Sequence, residues 1–501
     1  LYIITNVGQQ MLQTMRSQIF RHLQRLPLSF FDRVPSGVVV SRVINDVQTI
    51  NDLLTNGILS ALSDCLTLIF TVVVMIAMSP RLALVTFAVL PVMGLAVWIF
   101  TQKAKVAYRV SRTAVGVLTG ELAESFSGVR VVQAFAREEA SKSKFDEVND
   151  HNRKANIKAN TLSSGLLPIV ELNNAAATVA VIAYGGVLIV NNQATLGTLV
   201  AFLAYVTRFY QPIRTLTQFY NQLQAATAGA EKVFEVLDEP VIINEISAPI
   251  HVDRLRGEVE FKDVTFSYGR EPVLRDVSFH ARPGEMVAMV GHTGAGKTTV
   301  ASLLARFYDP VEGAILVDGH DLRDLSFETL RRGVALVLQD NFLFSGTIAD
   351  NIRYSREDAT IEQIVAAARV ANADDFIQRL PKGYETAVME RAANLSLGQR
   401  QLVAIARAVL ADPQVLILDE ATSNIDSQTE MLVQQALHKL LAGRTSLVIA
   451  HRLSTIRAAD QVLVLDGGEI VERGRHQELL RKRGFYYRLY QQQFAEVAPA
   501  A

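Results

Sequence analysis

Cysteine is nearly absent from this sequence: Cys65 is the only one among 501 residues. A single cysteine excludes an intrachain disulfide, and it also excludes the cysteine-rich patterns of zinc-binding domains. Charge of one sign is not in excess either, because 49 lysines and arginines face 50 aspartates and glutamates. This balance gives no indication of a nucleic acid partner, and we expect none.

Charged residues are also scarce in long stretches of the first half. Four stretches share this apolar composition: 58–78, 82–100, 165–190 and 195–216. Each is long enough to cross about 30 Å of hydrocarbon as a helix. The sequence therefore predicts four membrane spans. A soluble helical bundle is the alternative, and the complete lack of charge in 82–100 disfavours it.

Lysine and arginine are concentrated in the two long polar connections, 1–56 and 101–160, whereas the short connections around Pro80 and 191–197 contain only Arg81. The positive-inside rule places the long connections in the cytoplasm. An even number of spans returns the second half of the chain to the same side. We expect a multi-pass protein of a bacterial plasma membrane with its second half in the cytoplasm.

Four charged residues fall inside the predicted spans: Asp64, Glu171, Arg208 and Arg214. Glu171 and Arg214 lie at similar depths below the outer helix ends, so they could form a pair, and Arg208 lies higher and could face a cavity that takes anionic amphiphiles. Snorkelling toward the membrane surface is an equally good interpretation of each charge alone. Their roles stay open at this stage.

Residue patterns change from about Gly257. Val259, Phe261, Val264 and Phe266 alternate as in a strand. Five further apolar runs alternate with helical patterns: 314–317, 334–338, 415–418, 445–450 and 461–465. This alternation predicts a mainly parallel sheet flanked by helices, interrupted by a helical insertion at about 347–411.

A phosphate-binding motif follows one apolar run, 286–290. Its residues are Gly291, His292, Thr293, Gly294, Ala295, Gly296, Lys297, Thr298 and Thr299. A strand that ends in such a loop and turns into a helix directs backbone N–H groups at a polyphosphate. Lys297 supplies a cation for the β- and γ-phosphates, and the Thr298 hydroxyl is a suitable Mg²⁺ ligand.

Two adjacent carboxylates end the apolar run 415–418. Successive side chains of a strand point in different directions, so Asp419 and Glu420 can take different roles. Asp419 is suited to the Mg²⁺ shell, and Glu420 is suited to polarising an attacking water.

Seven features occur in the order and approximate spacing of the ATP-binding cassette (ABC) family. They are Tyr268, the loop 291–299, Gln339, the signature stretch 395–401 (Leu-Ser-Leu-Gly-Gln-Arg-Gln), 415–420, 423–426 and His451. The chain resembles this family over 257–495. The first half resembles the membrane part of an ABC exporter from the end of its second helix onward, so we expect an N-terminally truncated half-transporter.

The resemblance implies a multidomain fold. An all-α polytopic membrane domain (1–239) and a linker (240–256) would precede an α/β P-loop NTPase nucleotide-binding domain with a helical subdomain (257–495) and a tail (496–501). Short coupling helices are expected within 28–41 and about 120–128, with Glu390 and Arg391 as a transmission loop. Ordinary solvated helix turns are the alternative for these segments.

Further roles are implied by the resemblance alone. Tyr268 would stack on adenine, Gln339 would join Thr298 and Asp419 around Mg²⁺, and His451 would contact the γ-phosphate; taken singly, Tyr268 and His451 would read as structural residues. Glu420, His451, Gln339 and Lys297 would form the catalytic set. Leu395, Ser396, Gly398 and Gln399 would open a helix (399–410) that completes the ATP site of a second subunit, with Asp426 crossing the same interface.

The implied function is ATP-driven export of a hydrophobic or amphipathic drug, lipid or peptide, with ATP and Mg²⁺ as cofactors and a second half-transporter, identical or different, as partner. A membrane-tethered ATPase that senses or regulates without transporting is the alternative. Leu397 departs from the family's usual glycine, and Asn424 and Ile425 from its usual Ala-Leu. Neither departure removes a catalytic group.

Overall fold

The computed structural model describes residues 2–338, 341–389, 392–419, 426–450 and 452–494. Within helices, some side chains lie outside the description: 97, 101, 163, 166, 167, 210, 213, 214, 216–218, 220, 221, 493 and 494. The chain divides into two compact units, Leu1–Arg21 with Gly37–Asp238, and His22–Ser36 with Glu239–Ala501. The short segment His22–Ser36 thus belongs with the second half of the chain.

The first unit is helical throughout. Its helices, together with α2 from the segment His22–Ser36, are α1 (Tyr2–Leu23), α2 (Leu28–Arg33), α3 (Ser36–Ser41), α4 (Val47–Asp52), α5 (Ile58–Met78), α6 (Pro80–Phe87), α7 (Leu90–Ser127), α8 (Val129–Ala134), α9 (Glu138–Ser164), α10 (Leu166–Val190) and α11 (Leu196–Leu237). Two π-helical turns, Arg42–Asp46 and Leu53–Gly57, join α3, α4 and α5 into one continuous rod.

Among the described residues, three helical stretches are long and apolar enough to cross a membrane: Ser36–Met78, Pro80–Ser127 and Pro168–Val190. Most of their apolar side chains are exposed, as expected for surfaces that face lipid. The fourth predicted span, 195–216, begins the long helix α11, but its described apolar part is the shorter Leu196–Phe209. The remaining part includes undescribed side chains, among them that of Arg214.

The span predicted at 82–100 is not one uninterrupted helix. α6 ends at Phe87 and α7 starts at Leu90, with Pro91 in its first turn. Proline has no N–H to donate, and its ring conflicts with the carbonyl four residues earlier, which belongs to Phe87. The break therefore follows from the proline.

The second short helix also differs from its predicted position. Residues 120–127 continue α7, and the separate short helix is α8, Val129–Ala134. Gly128 has φ −92° and ψ 9°, which is not helical, and α7 ends there. The segment predicted to contain this short helix, about 120–128, is therefore part of α7 up to Ser127, and the separate short helix follows Gly128.

The second unit contains sheets covered by helices. Its strands are β1 (Val259–Phe266), β2 (Leu274–Ala281), β3 (Met286–Gly291), β4 (Glu312–Val317), β5 (His320–Asp321), β6 (Val334–Val337), β7 (Gly346–Thr347), β8 (Ala387–Val388), β9 (Val415–Asp419), β10 (Thr445–Ile449), β11 (Gln461–Asp466) and β12 (Glu469–Gly474). Its helices after α2 are α12 (Lys297–Leu304), α13 (Phe327–Gly333), α14 (Ile348–Arg353), α15 (Ile361–Val370), α16 (Asp374–Arg379), α17 (Leu397–Ala411), α18 (Ser427–Leu441), α19 (Leu453–Ala458), α20 (His476–Lys482) and α21 (Phe485–Phe494).

The larger sheet has the order β12-β11-β3-β10-β9-β6 and is parallel except for β12. Alternate residues of β3 enter two separate cores, Ala288 and Val290 on one face and Val287 and Met289 on the other. A sheet buried on both faces needs strands that are apolar at every position, and this explains the uninterrupted apolar runs.

The run 314–317 was wrongly assigned to this parallel sheet. It forms β4, which belongs to a second, antiparallel sheet of order β2-β1-β4-β5. A short buried run has no feature that distinguishes the two sheets, because both bury valine and isoleucine. The predicted helical insertion is present as α14 to α17 between β6 and β9.

Candidate nucleotide-binding site

The phosphate loop follows β3, which is a central strand of the larger sheet. β3 lies between β11 and β10, and β9 lies beyond β10. Ile449 of β10 is level with both Met289 of β3 and Asp419 of β9. The carboxyl ends of these three strands therefore reach the same edge of the sheet, where open α/β sheets bind ligands.

Three glycines shape the loop. Gly294 and Gly296 have φ values of 86° and 99°, in the region that glycine adopts without steric cost. At Gly291, a Cβ would lie 2.2 Å from the carbonyl oxygen of Leu465 on the neighbouring strand. The loop ends at Gly296, and α12 begins with Lys297, so the backbone N–H groups of the first helical turn point toward the loop.

Lys297 folds back over this loop. Its side chain is buried, and its ammonium Nζ donates hydrogen bonds to the carbonyl oxygens of Gly291 (2.8 Å) and His292 (2.9 Å). Burial lowers the pKa of Lys297, and the negative charge of Asp419 opposes that shift. An ammonium held by two backbone carbonyls is placed to exchange them for phosphate oxygens.

The predicted Mg²⁺ ligands are only partly described. Asp419 ends the buried strand β9, and Thr298 is exposed in the first turn of α12. A hydroxyl and a carboxylate are hard oxygen donors that fit Mg²⁺, which usually takes few protein ligands and completes its shell with water and phosphate. Gln339, Glu420 and His451 lie outside the described residues, as do Glu390 and Arg391.

Tyr268 stands beside the loop with its ring half exposed, at 53% of its full accessibility. Its hydroxyl donates to Thr299 Oγ1 at 3.3 Å. The rings of Phe266 and Tyr308 pack edge-on against it, with centroids at 4.8 and 5.1 Å. An aromatic ring that is held by two neighbouring rings and is half exposed suits stacking on a planar base.

The signature stretch opens α17, which begins at Leu397 and not at the predicted residue 399. Ser396 Oγ accepts the N–H of Gln399 at 3.2 Å, and Gln399 Oε1 accepts the N–H of Ser396 at 2.9 Å. This capping box extends the helix by two residues beyond the predicted start, because it satisfies N–H groups that would otherwise be unpaired. Leu395 and Gly398 are buried behind it.

Asp426 starts α18 in the same way. Its carboxylate Oδ1 accepts the N–H of Thr429 at 2.9 Å, and this hydrogen bond lowers the pKa of Asp426. The carboxylate stays exposed while it caps the helix. It is therefore held in one orientation at the surface.

The structure adds contacts that sequence reasoning missed. The hydroxyl of Tyr308 donates to Asp32 of α2, and burial together with this contact raises the pKa of Tyr308. Arg33 of the same short segment forms an ion pair with Glu239, with the guanidinium nitrogen 2.5 Å from Glu239 Oε1. Tyr308 and Asp32 are 276 residues apart, so no local pattern could have joined them.

Comparison with known proteins supplies the family context. A family model described as the ABC transporter transmembrane region matches residues 1–213, and one described as ABC transporter matches residues 274–423. A fatty acid ABC transporter ATP-binding/permease protein of Mycobacterium bovis is 42% identical over 96% of this chain and 76% of its own. An ATP-dependent lipid A-core flippase of Syntrophus aciditrophicus is 40% identical over 99% of this chain and 82% of its own.

A solved structure has the same fold over both units. The bacterial Atm1-family ABC exporter with ATP bound matches with a TM-score of 0.81 and 31% identity, over 99% of this chain and 87% of that chain. The likeness therefore extends from the membrane helices to the cassette.

The glycines of the loop give a first prediction. Gly294→Ala and Gly296→Ala both force a side chain into left-handed backbone, at about 1–2 kcal/mol. Only at Gly296 would the new Cβ also meet a neighbour, Leu274 Cδ2, at 2.5 Å. We expect scanning calorimetry to show about 1–3 kcal/mol more destabilisation for Gly296→Ala, because the buried Leu274 must move. Equal losses in the two variants would contradict the described packing.

Proposed function

The chain belongs to the ABC transporter family, as an exporter subunit whose membrane region and cassette form one polypeptide, and from this premise we propose how its residues carry out ATP-driven export. The protein is a multi-pass membrane ATPase that couples nucleotide hydrolysis to transport, and subunits of this kind function as dimers. The predicted fold class and membrane localisation are confirmed.

Catalysis is assigned to four side chains around the phosphate loop. Lys297 binds the β- and γ-phosphates, Glu420 polarises the attacking water, and His451 contacts the γ-phosphate; Gln339 joins them as the link to the metal. Thr298, Gln339 and Asp419 would hold Mg²⁺, which neutralises charge on the phosphates when bound. The strand register supports this assignment, because β3, β9 and β10 end at the same level of the sheet. In the sequence, the phosphate loop follows β3, Glu420 follows β9 and His451 follows β10.

Adenine recognition and the second half of the site complete the assignment. Tyr268 stacks on the base, and the N–H groups of 291–299 bind the phosphates. Ser396, Gly398 and Gln399, with Leu395 buried behind them, present the N-terminus of α17 to the nucleotide of a second half-transporter, and Asp426 reaches the same interface. A helix N-terminus carries partial positive charge and favours the phosphates. The partner is an identical or a different half-transporter with which each ATP site is shared.

Coupling between cassette and membrane helices is assigned to α2. Asp32 of α2 accepts a hydrogen bond from Tyr308, and the Tyr308 ring packs on Tyr268, the proposed adenine-stacking residue. Binding of adenine at Tyr268 can thus affect α2 through the packed rings of Tyr268 and Tyr308 and the hydrogen bond from Tyr308 to Asp32. Phe30 is buried, so α2 is anchored by packing as well.

The transported substrate is an amphiphile with an acidic head and acyl chains. Relatives with 40% and 42% identity over nearly the whole chain are named for lipid A-core and fatty acid transport. Arg208 on α11 is exposed, and a cation within an apolar helix is suited to an anionic head group. The proposed pairing of Glu171 with Arg214 concerns a side chain outside the description.

The observation that carries the proposal is the strand register that brings Asp419, Lys297 and the loop to one edge of the sheet. Vesicles containing the protein test it, with ATP turnover and the movement of a fluorescent fatty acid measured together. Glu420→Gln should lower turnover about 10²- to 10⁴-fold and abolish movement, because the water loses its base. The isosteric change Glu328→Gln at an exposed position is the matched control.

Two outcomes would count against this assignment. If movement of the fatty acid continues in Glu420→Gln, hydrolysis does not drive transport. If wild-type turnover never coincides with movement of this or any other amphiphile tested, the protein senses or regulates instead.

Ser396 offers a second test, because the cassette contains a matched capping box. Thr360 Oγ1 accepts the N–H of Gln363 at 3.4 Å, and Gln363 Oε1 accepts that of Thr360 at 3.0 Å. Ser396→Ala and Thr360→Ala should each destabilise the cassette by about 1 kcal/mol through loss of a helix cap. Only Ser396→Ala should also lower ATP turnover, by about tenfold or more. Turnover reduced equally in both variants would mean that Ser396 acts only as a cap.

Tyr384 provides a matched control for Tyr308. Its hydroxyl donates to Asp374 Oδ1 at 2.7 Å within the helical subdomain. Tyr308→Phe and Tyr384→Phe each lose a hydrogen bond to a carboxylate, at about 1.5–3 kcal/mol. Stimulation of ATP turnover by fatty acid should fall several-fold in Tyr308→Phe and stay at the wild-type level in Tyr384→Phe. Normal stimulation in Tyr308→Phe would exclude the Asp32 contact from coupling.

A further inference from the structure

The final described helix, α21, is held at its N-terminus by one carboxylate. Both oxygens of Glu472 on β12 accept backbone N–H groups, from Phe485 at 2.8 Å and from Tyr486 at 3.0 Å. A Cβ at Gly484 would lie 1.8 Å from Glu472 Oε1, so glycine at this position allows the close approach. A carboxylate at a helix N-terminus also interacts favourably with the helix dipole.

A buried contact between Tyr486 and His476 also holds α21 in place. The Tyr486 side chain is 1% exposed, and its hydroxyl lies 2.6 Å from Nδ1 of His476 at the start of α20. Leu489, one turn later, is also buried. With these anchors, α21 has one position relative to the sheet.

Sheet register places this helix beside the phosphate loop. Val464 of β11 is level with Glu472 of β12 on one side and with Val290 of β3 on the other. The residue that holds the start of α21 is therefore in one row with the residue that precedes Gly291. Phe485 completes the connection, because its ring packs edge-on against that of His292, with centroids 5.8 Å apart and planes at 83°.

His292 has a second connection through its backbone. Its carbonyl oxygen accepts from Lys297 Nζ at 2.9 Å and from the N–H of Ala295 at 3.1 Å. The residue whose ring contacts Phe485 is thus the residue whose carbonyl holds the phosphate-binding ammonium. The Arg488 guanidinium also lies over the Phe485 ring, 5.6 Å from its centroid.

We propose that Phe485 is a positioning residue for the phosphate loop: α21 holds His292 through ring packing and so preorganises the loop and Lys297 for the nucleotide phosphates. This inference rests on the proposed ATP site. Preorganisation lowers the cost of ordering the loop when the nucleotide binds, so it acts on affinity. Of the four side chains assigned to catalysis, only Lys297 is positioned in this way, so we expect the KM for ATP to change more than kcat.

The test is a double-variant cycle on the full-length protein in vesicles, with the KM for ATP and kcat measured separately. Phe485→Ala and His292→Ala should each raise the KM about three- to tenfold, with kcat within about twofold of the wild type. The double variant should be no worse than either single one, since both remove one contact. Phe485→Tyr keeps the ring and should restore the wild-type KM.

Tyr487→Ala is the matched control, because it removes a neighbouring aromatic ring of α21 whose described hydrogen bond is to Gln491 of the same helix. It should leave the KM unchanged. An unchanged KM in Phe485→Ala, additive effects in the double variant, or an equal rise in Tyr487→Ala would overturn the proposal. Turnover that persists in Glu420→Gln would instead count against the catalytic assignment, so the two failures are distinguishable.

Discussion

Parallel strand register is the constraint on which the cassette depends. β3, β10 and β9 end at one level, and β11 and β12 continue the same rows to the edge of the sheet. Because the interior residues of β3, β9, β10 and β11 are buried in one or the other of two cores, a shift by one residue would exchange the two cores. The cost of that exchange keeps the phosphate loop, Asp419 and the anchor of α21 in fixed relation.

Backbone carbonyls and helix ends carry much of the electrostatics of the residues proposed to bind nucleotide, in this subunit and in its partner. Lys297 is buried against two carbonyl oxygens, while Ser396 and Asp426 each start a helix with side-chain caps. Such groups are held by hydrogen bonds before any ligand arrives, so little reorganisation is needed when phosphates bind. Contacts from the periphery, Tyr308 with Asp32 and Phe485 with His292, then connect the loop to the segment His22–Ser36 and to the last described helix.

Local patterns predicted the elements well where one physical cause decides the outcome. The charge-free stretch 82–100 indicated membrane helix, and the strand before Gly291 indicated the phosphate loop, because apolarity and glycine spacing are properties of neighbouring residues. Errors arose where a proline or a glycine broke a helix, and where a short buried run had no feature to distinguish one sheet from the other. α6 and α7 are separate helices because of Pro91, and the second short helix, Val129–Ala134, begins only after Gly128. Residues 314–317 form a strand of the antiparallel sheet.

By itself the sequence determined the class of machine: apolar spans followed by a phosphate loop, a pair of carboxylates and a signature stretch identify the parts and their chemistry, since these motifs are short and contiguous. Only the tertiary structure decided which distant residues meet. Asp32 reaches Tyr308, Glu472 anchors α21, and Phe485 packs on His292 because strand order and register bring them together. Such contacts join residues from 13 to 276 positions apart, beyond the range of any local periodicity.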